Sequence, residues 1–250
     1  MGARRVADRV EHASATGPWH NDRVRLATFN IKHAELRGLA PLADLLREAR
    51  PDLAGLQEVD VGCARSGCAD QPAGLGTALG MASCFAPALP LEGGSYGNAL
   101  LAVPELLRGE SLQAGALPLP GGRSMGEEPR VLLAARAAGL RVFVAHFDLP
   151  APVRQAQADA LLAAVGDPHG TVVLGDLNEG PDGPAVRKLL AAGFRDAWAE
   201  CGAQELVTAP WDRPQTRIDQ VLLGPGLPRV RSARALSTDA SDHALVLVEL

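Results

Sequence analysis

Residues 171–181, TVVLGDLNEGP, hold the tightest folding constraint in the chain. An apolar run from Thr171 to Leu174 stops at Gly175, and Asp176 and Asn178 follow in a turn closed by Gly180 and Pro181. So short an apolar run, bounded by turn formers, reads as a buried strand. Positions i and i+2 of an extended chain share a side, so the Asp176 carboxylate and the Asn178 amide point into one cleft at the strand end. A carboxylate can bind a cation or hold a water, and a carboxamide can donate to a phosphoryl oxygen. Asp, Asn, Gly and Pro also form plain turns, so this stretch alone reads equally well as an Asx turn.

The same arrangement recurs along the chain. Residues 24–33, VRLATFNIKH, read as a strand ending on Asn30, Lys32 and His33, the last two expected as solvated surface. Leu39, Leu42, Leu45 and Leu46 predict a helix over 35–49 that Pro51 and Asp52 end. A strand over Leu53–Leu56 runs into Gln57, Glu58 and Asp60. A half-buried Glu58 needs a partner, either a metal or an Arg. A short helix around Leu75–Leu79 is followed by strands in SCFAPAL, in residues 95–103 (with Asn98 embedded) and in residues 110–118. Residues 119–129 read as a flexible loop. Residues 131–147 read as a hairpin joined across Ala138–Gly139 and ending on His146. Helices over 151–165 and 183–192 flank the Thr171 strand, and the chain around Trp198 and Thr208–Pro210 reads as irregular. A strand over 216–223 carries Asp219, VRSARAL is a further strand, and residues 241–250 place Asp242 and His243 at the start of the last one. The 250 residues show no repeat and no linker. The expectation is an irregular leader over 1–22 and one compact two-sheet domain over 23–250.

Composition narrows the function. A net charge of −5, with only Lys32 and Lys188 as lysines, argues against a strongly basic nucleic-acid face. No apolar run approaches the roughly 18 residues of a membrane span, and no secretory signal is visible, so cytoplasmic residence is expected. Cys63 and Cys68 have no second pair with which to build a zinc site, and reduced thiols are expected.

Asn30, Glu58, His146, Asp176, Asn178, Asp219, Asp242 and His243 all end or interrupt apolar strands. Strands of a sheet bring their ends together, so distant segments can build one cleft. Oxygen donors without thiolates suit Mg²⁺ or Mn²⁺, and two histidines beside acids can move protons near neutral pH. With no serine nucleophile elbow and no glycine-rich phosphate loop, attack by a metal-assisted water fits best.

The ordered series TFNIKH, LQEVD, YGNALL, VAHF, GDLN, RIDQVLL and SDH, from about Val24 to Leu250, closely resembles the exonuclease–endonuclease–phosphatase superfamily. That superfamily includes pancreatic-type deoxyribonucleases, AP endonucleases, neutral sphingomyelinases and inositol-polyphosphate 5-phosphatases, and its small bacterial members look nearest. The resemblance implies an α/β fold, a four-layer α-β-β-α sandwich of two packed mixed sheets. It implies Glu58 as the acidic metal ligand, Asn30 beside metal and phosphate, and Asp242 as a carboxylate assisting the metal. It implies Asp176 as the residue aligning or deprotonating the attacking water and Asn178 as a contact to the scissile phosphate. His243 would bind phosphate or exchange protons, Asp219 would orient it, and His146 matches the histidine of the nuclease and sphingomyelinase branches. Two positions depart from the pattern: Ala102–Val103 stands where Ser-Arg is common, and Phe147–Asp148 where Leu is usual. Arg65, Arg123 and Arg130 are available as replacement phosphate contacts, though each reads first as a solvated or structural arginine.

The expected activity is Mg²⁺- or Mn²⁺-dependent phosphodiester hydrolysis by a monomer. The substrate would be a nucleic acid, a nucleotide, a lipid headgroup or a small metabolite. The alternatives are a phosphomonoesterase of a small phosphorylated metabolite or lipid headgroup, and a non-catalytic binding protein that keeps the fold.

Overall fold

The computed structural model describes residues 23–107, 111–122, 124–137, 139–202, 207–208 and 217–250. The leader expected over 1–22, Ala138, Arg123 and the Pro210 region lie outside the described residues. In chain order the elements begin with β1 (Arg25–Asn30), α1 (Leu39–Ala49), β2 (Leu53–Val61), α2 (Gln71–Leu79), β3 (Ala82–Leu91) and β4 (Gly94–Ala102). Next come α3 (Pro104–Leu107), β5 (Ala114–Pro118), β6 (Val131–Ala137), β7 (Leu140–His146), α4 (Ala151–Val165) and β8 (Thr171–Asp176). The last are α5 (Pro184–Ala191), β9 (Arg195–Asp196), α6 (Ala197–Glu200), β10 (Asp219–Leu223), β11 (Ser232–Leu236) and β12 (Leu245–Glu249).

The strands form two six-stranded mixed sheets, ordered β11-β12-β1-β2-β4-β3 and β5-β6-β7-β8-β10-β9. β1 runs parallel to β2, and β7 parallel to β8; the other pairings are antiparallel. Three apolar clusters define the layers. Leu26, Leu53, Val142, Val144, Val172, Leu174, Val221 and Val246 fill the space between the sheets. Phe29, Leu42, Leu46, Leu56 and Leu75 pack α1 and α2 on the first sheet. Phe143, Leu161, Val173, Leu189 and Leu222 pack α4 and α5 on the second. The result is the four-layer α-β-β-α sandwich.

Strand alternation carries the inner apolar rows into the site. On β1 the inner face reads Leu26, Thr28, Asn30; on β7, Val142, Val144, His146; on β8, Val172, Leu174, Asp176; on β10, Leu223, Val221, Asp219. Each strand thus spends most of its inner row on the inter-sheet core and the end nearest the cleft on a polar group. Register then aligns these ends: His146 pairs with Asp176 across β7–β8, and Asp219 with Asp176 across β10–β8. Gly175 lets β8 lie this close to β7, because a Cβ there would sit 2.3 Å from the Ala145 carbonyl oxygen.

Several elements differ from the sequence expectation. The last strand starts at Leu245 rather than 241, so Asp242 and His243 precede it. The Asp219 strand starts at Asp219 rather than 216, and the chain around Trp198 forms α6. Helix α1 starts at Leu39 rather than 35, because Gly38 and a left-handed turn over Lys32–Ala34 occupy the preceding residues. Strand β2 continues past Leu56 to Val61 through a bulge between Leu56 and Val59. One extra residue there, with Glu58 at φ 54°, breaks the alternation that would have turned Glu58 toward the helices.

Candidate active site

Asn30 is the hub of the cleft. Its Nδ2 donates to Glu58 Oε1 at 2.9 Å and to Asp176 Oδ2 at 3.1 Å, so one amide ties the first sheet to the second. Its Oδ1 accepts from the Lys32 backbone N–H at 3.0 Å, and its carbonyl accepts from Ser241 Oγ at 2.7 Å. Asp176 is 1% exposed, and its Oδ1 accepts from the Asn178 backbone N–H at 2.9 Å. Burial first, then the charge of Asp219, pushes the Asp176 pKa upward from 3.8. The Asn178 side chain, also at positive φ, donates to the Phe147 carbonyl at 2.8 Å and has one N–H left for a ligand.

The two histidines have opposite electrostatics. His243 Nδ1 lies 3.0 Å from Asp219 Oδ2, and its Nε2 lies 3.7 Å from Asp176 Oδ2. Burial alone would lower its pKa, but Asp219, Asp176 and Asp242 outweigh burial and raise it to about 10. His146 is held the other way. Burial first, then the Arg130 guanidinium, pushes its pKa well below 6.5. Arg130 Nη1 lies 2.8 Å from His146 Nδ1. Arginine only donates, so Nδ1 accepts and the ring proton sits on Nε2, 3.5 Å from Asp176 Oδ2. Arg130→Met is expected to release this tautomer. The ring ¹⁵N shifts of His146 should move from a protonated-Nε2 pattern toward a tautomer mixture, and unchanged shifts would show that another group fixes the ring.

Glu58 faces the same cleft from the other sheet. Burial would raise its pKa, but His33, His146, Asn30 and His243 outweigh burial and hold it below the usual carboxylate range. Lys32 and His33 were expected on the solvated surface. The structure instead turns both inward, through three consecutive left-handed residues: Lys32 (φ 45°), His33 (φ 42°) and Ala34 (φ 58°). Each costs roughly 1–2 kcal/mol in a non-glycine residue, so the turn exists only because side-chain contacts hold it. Lys32 Nζ bonds Asp242 at 2.9 Å, and Gln71 Nε2 donates to the His33 carbonyl at 2.7 Å.

The sequence-predicted residues thus gather at one cleft. Asp242, expected to assist the metal, accepts from Lys32 Nζ through Oδ2 at 2.9 Å. Sequence reading named Arg130 only as an available phosphate contact and Lys32 and His33 only as polar residues at a strand end. It did not anticipate their contacts with His146, Asp242 and Glu58. Arg130 follows the Glu-Glu-Pro loop and directly precedes a strand, and nothing in its type separates it from a solvated arginine. Arg65 is committed to Asp60, with bonds of 2.9 and 2.8 Å, and stacks on Tyr96. A cavity of about 180 Å³, lined by Thr208, Ser237, Thr238, Ser241, Asp242 and His243 among others, opens beside the acid–imidazole chain.

A divalent cation fits this donor set. Ligand atoms of Asp176, Asp219 and His243 lie within 4.8 Å of one another. A protonated His243 has no lone pair to give, which leaves Glu58 Oε2 and the amide oxygen of Asn30 available to an ion. Asp219 Oδ1 and His33 Nδ1 are buried without a hydrogen-bond partner, and the remaining donors are carboxylate and amide oxygens suited to a hard ion. Among the described residues no helix is long and apolar enough to cross a membrane.

Two helix-covered mixed sheets, with buried acids, amides and imidazoles converging at one edge, form an α-β-β-α sandwich that carries its polar cluster at the sheet ends. The Endonuclease/Exonuclease/phosphatase family model matches residues 27–243, so the chain belongs to that family and with it to the hydrolases of phosphoester bonds. No curated protein matches the sequence. An endonuclease/exonuclease/phosphatase from Beutenbergia cavernae is similar at 24% identity and TM-score 0.67, over 91% of this chain and 71% of that one. A mannosyl-6-phosphatase from Bacteroides thetaiotaomicron is similar at 14% identity and TM-score 0.64, over 91% and 99%. An AP endonuclease from Archaeoglobus fulgidus is similar at 20% identity and TM-score 0.63, over 90% and 98%.

Proposed function

We propose that the chain hydrolyses a phosphodiester, using water activated by Asp176 and a Mg²⁺ or Mn²⁺ ion held by Glu58 with Asn30. The carrying observation is the Asp219–His243–Asp176 chain, in which one imidazole lies between two buried carboxylates. Asp176, with its pKa raised by burial and Asp219, takes the proton of the attacking water. Asn30 and the Asn178 backbone N–H fix the Asp176 carboxylate, so its orientation is set before substrate arrives. His243, protonated up to about pH 10, donates from Nε2 to a phosphoryl oxygen as negative charge builds. Neutral His146 offers Nε2–H as a hydrogen-bond donor on the same side. The free amide N–H of Asn178 contacts the scissile phosphate. When bound, the cation withdraws charge from a phosphoryl oxygen and favours ionised water.

A diester is favoured over a monoester by the charge inventory. Arg130 is spent on His146 and Glu128, Lys32 on Asp242 and Arg65 on Asp60. A singly charged diester asks less of such a site than a dianionic monoester. Small-molecule, nucleotide and lipid-headgroup diesters fit the acidic chain better than long nucleic acid.

Purified protein should hydrolyse bis-p-nitrophenyl phosphate faster than p-nitrophenyl phosphate with Mg²⁺ or Mn²⁺, and lose both activities in EDTA. Faster monoester turnover would overturn the diester reading. Activity indifferent to EDTA would overturn the metal.

A further inference from the structure

We propose that His33 binds the same divalent cation as Glu58, through Nδ1, making the site a mixed imidazole–carboxylate centre. The inference rests on the metal-dependent reading above and assigns a ligand that reading does not contain.

The geometry of the ring carries it. His33 Nδ1 is buried and has no hydrogen-bond partner. It lies 3.7 Å from Glu58 Oε2, the oxygen left over once Asn30 takes Oε1. That is too long for a charge-assisted hydrogen bond, which closes to about 2.7–2.9 Å. It suits two atoms sharing one cation at roughly 2.0–2.2 Å each. Behind the ring, Nε2 faces Glu35 Oε2 at 3.9 Å. At that distance Glu35 makes no hydrogen bond to the ring, and Nε2 is open to carry the proton that leaves Nδ1 free for an ion.

The backbone carries it independently. Left-handed non-glycine residues in succession are rare, and backbone strain of this kind gathers at ligand sites. Were the chain to run on extended past Asn30, alternation would put His33 on the side of Ile31, away from the cleft. With the turn over Lys32–Ala34, the ring swings over Glu58 while Lys32–Asp242 and Gln71–His33 pin the turn on either side.

An imidazole ligand changes which ion the site prefers. Mg²⁺ favours an oxygen shell, whereas Mn²⁺ and Co²⁺ accept nitrogen readily. The substrate-free protein should therefore bind Mn²⁺ more tightly than Mg²⁺. The test uses the full chain labelled with [¹⁵N]histidine, titrated with Mn²⁺ alone and read by electron paramagnetic resonance. Wild type should show ¹⁵N hyperfine coupling to the bound ion. His33→Asn, chosen because asparagine tolerates the left-handed conformation, should lose that coupling. It should also bind Mn²⁺ about tenfold or more weakly, with a smaller loss for Mg²⁺. His33→Ala should behave alike. Unchanged Mn²⁺ affinity in His33→Asn would overturn the proposal, as would coupling that persists in it, since the ion would then sit on another histidine such as His243. No substrate enters these measurements. Metal binding as predicted with no phosphoester turnover would therefore sink the hydrolytic reading and leave this one standing.

Discussion

Asp176→Ala is expected to lower turnover of bis-p-nitrophenyl phosphate by roughly 10²–10⁴-fold while the far-ultraviolet circular dichroism stays that of wild type. Asp176 is the one group contacted from every side of the cleft. Asn30 bonds it from the first sheet, the Asn178 backbone N–H bonds it from its own turn, and the Nε2 atoms of His146 and His243 flank it at 3.5 and 3.7 Å. Its side chain ends the inner row of β8, beyond Val172 and Leu174, so truncation leaves the apolar packing in place. Asp176→Asn separates charge from shape. It keeps the size and one acceptor but cannot take a proton, and its loss should match that of alanine. A fall of less than tenfold in both variants would remove Asp176 from the chemistry.

The second large effect belongs to Asp219. Asp219→Asn is expected to cost roughly 10²–10⁴ in kcat and to move the alkaline limb of the pH–rate profile toward acid pH. In the wild type the carboxylates outweigh burial and keep His243 protonated up to about pH 10, so activity that needs the imidazolium persists to that range. Without the Asp219 charge, burial pulls the pKa down and the proton leaves earlier. Stability should follow the same sign. A folded pKa above the unfolded value of about 6.5 gives stability that is complete below that pH and disappears as pH rises toward about 10. Asp219→Asn should therefore lower the denaturation midpoint more at pH 6 than near pH 10. A pH–rate profile identical to wild type would mean that His243 does not depend on this acid.

Much of the fold was legible because alternation and length are local properties. The apolar steps before Asn30, His146 and Asp176 and after Asp219 mark strands, and the leucines of α1 mark a helix face. How the sheets stack came only through resemblance, since pairing between β1 and β12 or between β8 and β10 joins residues far apart in the chain. The site was legible wherever a polar residue continued an inner row. It was illegible where backbone conformation overrode the pattern. Nothing in the side chains of Lys32, His33 and Ala34 announces a left-handed turn, so two inward residues were expected outside. The contact of Arg130 with His146 was missed for another reason. Its partner, His146, stands on the neighbouring strand, and arginine is common on surfaces for many causes.

The bulge in β2 gives the protein a dependence on count as well as on composition. Between Leu56 and Val59 this strand carries one more residue than its partner β4 can match. A chain that retained Gln57, Glu58 and Asp60 but lacked Val59 would regain an unbroken ladder and lose only one apolar residue. Its glutamate would then point into the helical layer. A comparison that scores residue identity alone would count such a chain as complete. The spacing from Leu56 to Val59 is therefore the feature to check first when deciding which relatives of this fold turn that glutamate into the cleft.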